Sequence, residues 1–230
     1  MATSMLDRAL PAAIFCLAVV AMFSAGAANG LIWLHYLAKP LTTLLILSYL
    51  WRAGNAPNAR YRHAIMVGIV FSAFGDVFLM LPETLIATGF MFGLGSFLIA
   101  HLFFLRALSS DAKWFGKLFV LPAFVIVGAL NLAILWPGLG GDLKVPVLLY
   151  IACLIAMTSQ AVSRFLTLRT VASGYAAFGG IIFLLSDTLI AYNKFHAPII
   201  FASVCILATY YAALWLIAKS ACSEHLALKE

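Results

Sequence analysis

The sequence predicts an all-α protein, a polytopic membrane bundle of eight transmembrane helices with both termini cytoplasmic. Three observations predict it. Of 230 residues, 65% are hydrophobic and only 10% charged, against roughly 25% charged in a soluble domain. No water-soluble shape of this size hides that much apolar surface. The apolar residues fall into eight runs, near 10–27, 31–50, 63–82, 85–105, 117–136, 145–163, 171–192 and 198–218. Each run is long enough to cross a hydrocarbon core about 30 Å thick at ~1.5 Å per residue. The cations sort by alternate connections. Arg8, Arg52, Arg60, Arg62, Arg106, Lys113, Lys117, Arg164, Arg169, Lys219 and Lys229 fall on one side, and Lys144 and Lys194 on the other. An excess of Lys and Arg marks the cytoplasmic side.

Polar groups inside these runs are expected to face the bundle interior, because lipid does not solvate them. The first run carries no charged residue and ends in Ala25-Gly26-Ala27, which resembles a signal-peptide cleavage site. In the second run, helical spacing aligns His35, Lys39 and Thr42, with Tyr36 beside them. The third aligns Gly68, Ser72, Gly75 and Asp76, and the fourth Gly89, Gly93, Phe97 and His101. The fifth contributes Asn131, the sixth Tyr150 and the eighth Ser203. The seventh aligns Gly180, Phe183 and Asp187. The glycine stripes suit close helix packing. The connections are short, so residues 1–230 form a single membrane domain. An offset of 111 residues lays Asp76 on Asp187, Gly75 on Ser186 and Leu79 on Ile190, which suggests duplicated four-helix halves near 1–110 and 111–230.

Several function classes drop out. The net charge of +6 comes from short loops and not from basic runs interleaved with aromatics, so nucleic acid is not an expected partner. Cys16, Cys153, Cys205 and Cys222 form no CxxC pair and read as packing residues. No HxxxH or HExxH spacing marks a metal site, and no P-loop or dinucleotide fingerprint marks a cofactor. What remains is two carboxylates inside apolar runs. Such groups are costly there and are functional candidates by default.

Measured from the midpoint of each run, Asp76 lies roughly 6 Å, Asp187 roughly 7 Å and Lys39 roughly 3 Å toward the outer side. His101 lies roughly 9 Å toward the cytoplasm. Depth therefore predicts one cluster of Lys39, Asp76 and Asp187, with His101 on its inner side. Two like charges resist joint ionisation and Lys39 favours one carboxylate, so one acid is expected protonated and the other ionised. That is a kit for general acid and base chemistry.

Lys39-Pro40-Leu41-Thr42, then Phe71-Ser72-x-x-Gly75-Asp76-x-x-Leu79-Met80, Phe90-x-x-Gly93-x-x-x-Phe97-x-x-x-His101 and Phe183-x-x-Ser186-Asp187 together resemble the YhhN-like lysoplasmalogenase family. The resemblance covers nearly the whole chain. It implies hydrolysis of the vinyl ether bond of a lysophospholipid substrate, lysoplasmalogen, to a fatty aldehyde and glycerophosphoethanolamine or glycerophosphocholine. It implies no cofactor and a multi-pass protein of the cell (inner) membrane. Asp76 and Asp187 would be the catalytic acids, in roles the sequence leaves unassigned. Lys39, Tyr36, Ser72, His101, Asn131, Tyr150 and Ser186 would support them or bind substrate, and Phe71, Phe74, Phe97 and Phe183 would line the acyl slot. Two other readings suit the same residues. One is a metal-dependent lipid hydrolase of the ceramidase type, using His101 with the aspartates. The other is a small proton-coupled transporter.

Overall fold

A computed structural model describes residues 5–25, 31–53, 58–82, 85 and 88–222. Its helices are α1 (Met5–Ser24), α2 (Ile32–Arg52), α3 (Ala59–Met80), α4 (Gly89–Leu108), α5 (Val120–Leu135), α6 (Gly141–Leu168), α7 (Val171–Phe195) and α8 (Ala202–Cys222), with a 3₁₀ turn at Trp136–Gly138. Every apolar run becomes a helix. The six from α3 to α8 are long and apolar enough to cross a membrane. The described apolar part of α1 is shorter, and α2, which carries His35, Lys39, Thr42 and Thr43, is not among the six. Gly26 and Ala27 of the cleavage-like sequence lie outside the described residues.

Local chemistry sets several boundaries. Asn58 caps α3 by accepting from the backbone N–H of Tyr61 at 3.0 Å. Thr170 and Ser173 exchange side-chain and backbone bonds in a capping box at the start of α7. Arg169 ends α6 in the left-handed region at φ 48°.

Helices α3 and α4 pack along one seam and α7 and α8 along another; α6 touches α4, α5 and α7, while α2 joins α3 and α8. The glycine stripe of α3 makes the first seam. A Cβ at Gly68 would run into the Phe104 ring and one at Gly75 into the Phe97 ring, so both positions let an aromatic side chain of α4 lie directly on the α3 backbone. Helix α5 is peripheral, with Val125, Ile126, Leu130 and Ile134 exposed, as a lipid-facing helix requires.

One buried charge departs from the sequence reading. Arg164, expected in a cytoplasmic loop, sits inside α6 and is 1% exposed. Its Nε and Nη2 donate to the two carboxylate oxygens of Asp111, each at 2.7 Å, and its guanidinium lies over the Tyr61 ring. Gln160 and Ser163 on the same helix accept from the backbone N–H groups of Phe115 and Lys117. The fork geometry of Arg suits a bidentate carboxylate, and together these bonds tie the α4–α5 connection to α6. Apolar-run counting does not see this clamp, because a charge near the end of a run reads as a loop charge.

Candidate active site

The polar residues of the bundle interior separate into two groups. In the first, Asp76 projects from α3 and is fully buried. Its Oδ2 accepts hydrogen bonds from Thr43 Oγ1 at 2.6 Å and from the Tyr210 hydroxyl at 2.8 Å. Lys39 Nζ lies 3.6 Å from Oδ1. The backbone carbonyl of Lys39 accepts from Tyr211. Thus α2 supplies a cation and a hydroxyl one turn apart, α8 supplies a tyrosine, and α3 supplies the acid.

In the second group, Asp187 projects from α7. Its Oδ2 accepts from the Tyr150 hydroxyl of α6 at 2.7 Å and lies 3.7 Å from His101 Nε2 of α4. His101 is fully buried and neither ring nitrogen has a hydrogen-bond partner among the described residues. The ring stands edge-on to Phe183 at 4.7 Å and to Tyr150 at 5.3 Å between centroids. A buried polar group without a partner is uncommon and costs free energy, so it points to a role that needs it.

The two groups share no polar partner. Phe183 lies between them, edge-on to Tyr210 on one side and to His101 on the other, with Phe97 beside it. This corrects the depth estimate, which joined Lys39, Asp76 and Asp187 in one cluster with His101 on its inner side. The structure gives Lys39 to Asp76 and His101 to Asp187. Part of the reason is that α4 runs Gly89–Leu108, later than the apolar run read near 85–105. That shift carries His101 about 5 Å outward relative to its helix midpoint. Residue counting also takes no account of tilt or of axial offset between neighbouring helices.

A cleft with about 750 Å³ of empty space, its open mouth included, borders the second group. Its polar lining is Asp187, Tyr150, Asn131 and Thr188; its apolar walls include Leu79, Phe90, Leu94, Phe97, Leu154 and Leu184. Every lining residue of α4 and α6 comes from the N-terminal half of its helix, and every one of α5 and α7 from the C-terminal half or middle. The cleft therefore lies in the half of the bundle that ends at Lys144 and Lys194. A mostly apolar cavity with a few convergent polar groups is the usual form of a small-molecule site.

The other expected residues go elsewhere. Asn131 is half-buried, its side-chain amide donating to the Val127 carbonyl. Ser72 bonds back to the Gly68 carbonyl in its own helix, and Ser186 ties α7 to the Ile206 carbonyl of α8. Tyr36 is half-buried beside His35 and does not line the cleft. Of the four phenylalanines, Phe97 lines the cleft and Phe183 lies fully buried behind it. Phe71 stacks on Phe103, and Phe74 is 52% exposed on the bundle surface. Thr43 and Tyr210 were not foreseen. The signal for Thr43 was its place one turn after Lys39, and for Tyr210 a tyrosine pair, Tyr210-Tyr211, in the middle of an apolar run. Among the described residues no three His, Cys, Asp or Glu side chains converge on a point where a metal ion could sit.

Comparison with known proteins agrees with the motif order. No solved structure matches the chain. It is 29% identical over 193 residues to human lysoplasmalogenase TMEM86B, covering 84% of this chain and 77% of that protein. It is 32% identical over 196 residues to human lysoplasmalogenase TMEM86A, covering 83% and 73%. A lysoplasmalogenase of Mycobacterium bovis is 35% identical over 144 residues, covering 60% and 52%. The YhhN family profile matches residues 34–221, which span α2 to α8 and hold both acids, both tyrosines, Lys39 and His101. The chain belongs to the YhhN family.

Proposed function

We propose that the protein is a membrane hydrolase that cleaves the vinyl ether of lysoplasmalogens, with Asp187 acting on the substrate and Asp76 acting through the wall of the site. The observation that carries this reading is the placement of Asp187, Tyr150 and Asn131 on a mostly apolar cleft that Asp76 and Lys39 do not line. The similarity to named lysoplasmalogenases supplies the reaction.

A vinyl ether hydrolyses by protonation of its β-carbon. Asp187 begins as the acid. Its Oδ2 accepts from Tyr150, and Oδ1 carries the proton. Transfer of that proton forms the new C–H bond and leaves an oxocarbenium ion beside a carboxylate, the arrangement used for glycosyl cations. Water then attacks the oxocarbenium carbon, and Asp187 takes the proton released. The hemiacetal breaks to the fatty aldehyde, and its hydroxyl proton ends on the glycerol oxygen. One water is consumed and Asp187 is restored. His101 faces Asp187 with a nitrogen that hydrogen-bonds the carboxyl group once substrate excludes water, since such contacts are often long in the empty state. Asn131 is in position to hold the attacking water or the glycerol hydroxyl.

Asp76 accepts from two hydroxyls with an ammonium alongside, the environment of a permanent carboxylate. It fixes Tyr210, whose ring packs on Phe97 and Phe183, and so sets the cleft wall. Helices α1 and α2 complete eight spans, and the cation sorting puts both termini in the cytoplasm and the cleft mouth on the outer leaflet of the cell (inner) membrane.

The test is to incubate purified protein with a lysoplasmalogen and with the matching ester lysophospholipid. Aldehyde released from the first, without fatty acid from the second, is the expected result. Fatty acid release alone would replace the reaction with ester hydrolysis.

A further inference from the structure

Only two cations, Lys144 and Lys194, belong to the outer side, against eleven on the cytoplasmic side. Topology disfavours cations there, and both are found at the end of the bundle where the cleft lies. Lys194 Nζ lies 4.6 Å above the ring of Phe90, a cleft residue. Phe90 in turn meets Phe195, another cleft residue, edge-on. Lys144 Nζ lies 4.7 Å above the ring of Trp136. Trp136 belongs to the 3₁₀ turn whose Gly138 lies against the backbone of Phe195, so closely that a Cβ there would collide with the Phe195 carbonyl. Each ammonium group therefore sits over a ring that belongs to an element touching Phe195. Ring faces hold a cation by their quadrupole, and here they hold it at the water edge of an apolar cavity.

Position along the helix adds a length. Lys194 follows Asp187 by seven residues on α7, so it stands about 10 Å farther out and within about 20° of the same face. Ile190, Ala191 and Phe195, which share that face, line the cleft between and beyond them. In a lysoplasmalogen, seven bonds separate the phosphorus from the β-carbon that takes the proton. An extended chain covers ~3.5 Å in three bonds, so that span is about 8 Å.

We propose that Lys194, assisted by Lys144 at the same end of the bundle, binds the phosphodiester of a single-chain phospholipid and thereby sets the depth at which its vinyl ether meets Asp187. The inference rests on the proposed function for the reacting group, but not for the phosphate. Lysine serves here as a point charge, suited to a phosphodiester whose outer substituent varies. The cleft thus reads phosphate and not head group, and takes ethanolamine and choline forms alike.

The experiment compares probes with and without phosphate. For turnover the pair is alkenyl lysophosphatidylethanolamine and 1-alkenylglycerol. For binding it is the alkyl ether analogue of each, which has no vinyl group to cleave. In Lys194→Gln, the preference for the phosphate-bearing member should fall roughly tenfold in both measurements, as loss of one charge-assisted contact predicts. The effect in turnover should lie in KM, and Lys194→Arg should restore most of it. Lys144→Gln should act in the same direction and less. An unchanged preference overturns the proposal, as does equal weakening of both members of each pair, which would mean only that the rim had been disturbed. If wild-type protein releases no aldehyde yet binds the alkyl lysophospholipid through Lys194, the reaction assignment fails and the phosphate site stands.

Discussion

Asp76 and Asp187 have nearly the same equipment and opposite surroundings. Each accepts from a tyrosine of a neighbouring helix, at 2.8 and 2.7 Å, and each faces a side-chain nitrogen, at 3.6 and 3.7 Å. The nitrogen differs in kind. Lys39 is an ammonium, and His101 is an imidazole that carries charge only when protonated. The remaining coordination differs too. Asp76 takes a second hydroxyl, from Thr43, and its side chain is 1% exposed; Asp187 has no second hydroxyl among the described residues and its side chain, 10% exposed, borders the cleft. Two hydroxyls on Oδ2 and an ammonium 3.6 Å from Oδ1 suit a fixed anion. In the proposed mechanism Asp187, held by a single hydroxyl at the edge of a cavity, is the acid that gives a proton. The contrast teaches that an acid inside a membrane bundle is functional in two senses, as a reagent or as a fixed anion that shapes the reagent's site.

The largest effect should come from Asp187→Asn. General acid–base catalysis is worth about 10²–10⁴-fold, and the proposed mechanism uses one group both as acid and as base, so aldehyde release should fall by at least ~10³-fold. The cleft wall is untouched, so thermal unfolding in detergent should stay within a few degrees of wild type, roughly the effect of 1 kcal/mol. More than a tenth of the activity remaining would remove Asp187 from the chemistry.

Asp76→Leu should break the other half in another way. It leaves Lys39 charged and buried, which costs about 3–5 kcal/mol, read as a lowered unfolding temperature with activity lost through misfolding. Adding Lys39→Met removes the stranded charge. Apolar replacement of a whole buried pair is often neutral or stabilising, so the double variant should regain stability and turn over substrate within about tenfold of wild type, the scale of a positioning contact. If it folds as well as wild type and is as inactive as Asp187→Asn, Asp76 touches the substrate and the division of labour is wrong.

Much of this was legible in the sequence, for identifiable reasons. Hydropathy gives the helices because lipid tolerates little else, and Asp76 and Asp187 stand out because each is alone in an apolar run. Asn131 and Tyr150 were found by depth, and both line the cleft. What was not legible is lateral: which helix neighbours which, and at what axial offset. That is why His101 was set apart from Asp187, why Tyr210 was not noticed, and why Phe74 was expected in the acyl slot and faces outward. A stripe on a single helix says which residues point inward together, but not what they meet. Arg164 shows the same limit at the end of the bundle away from the cleft, where only the fold brings Asp111 to it.

The smallest effects should separate the tyrosines, which are matched in chemistry and differ only in which acid they serve. Tyr150→Phe deletes the one hydroxyl on Asp187. The carboxylate left after proton transfer would then lose its donor while it faces the oxocarbenium ion. A hydrogen bond to a charged group is worth about 1.5–3 kcal/mol, so kcat should fall by roughly 10–100-fold. Tyr210→Phe deletes one of two hydroxyls on Asp76 and keeps the ring that packs on Phe97 and Phe183. Thr43 and Lys39 still hold the acid, so kcat should change less than about threefold, with a stability loss on the order of 1 kcal/mol. Measured side by side under saturating substrate, the two variants ask whether catalysis follows the cleft or follows the carboxylates. Equal losses of kcat would mean that both acids act on the reacting bond. A larger loss in Tyr210→Phe would reverse the assignment and make Asp187 the anion that shapes the site.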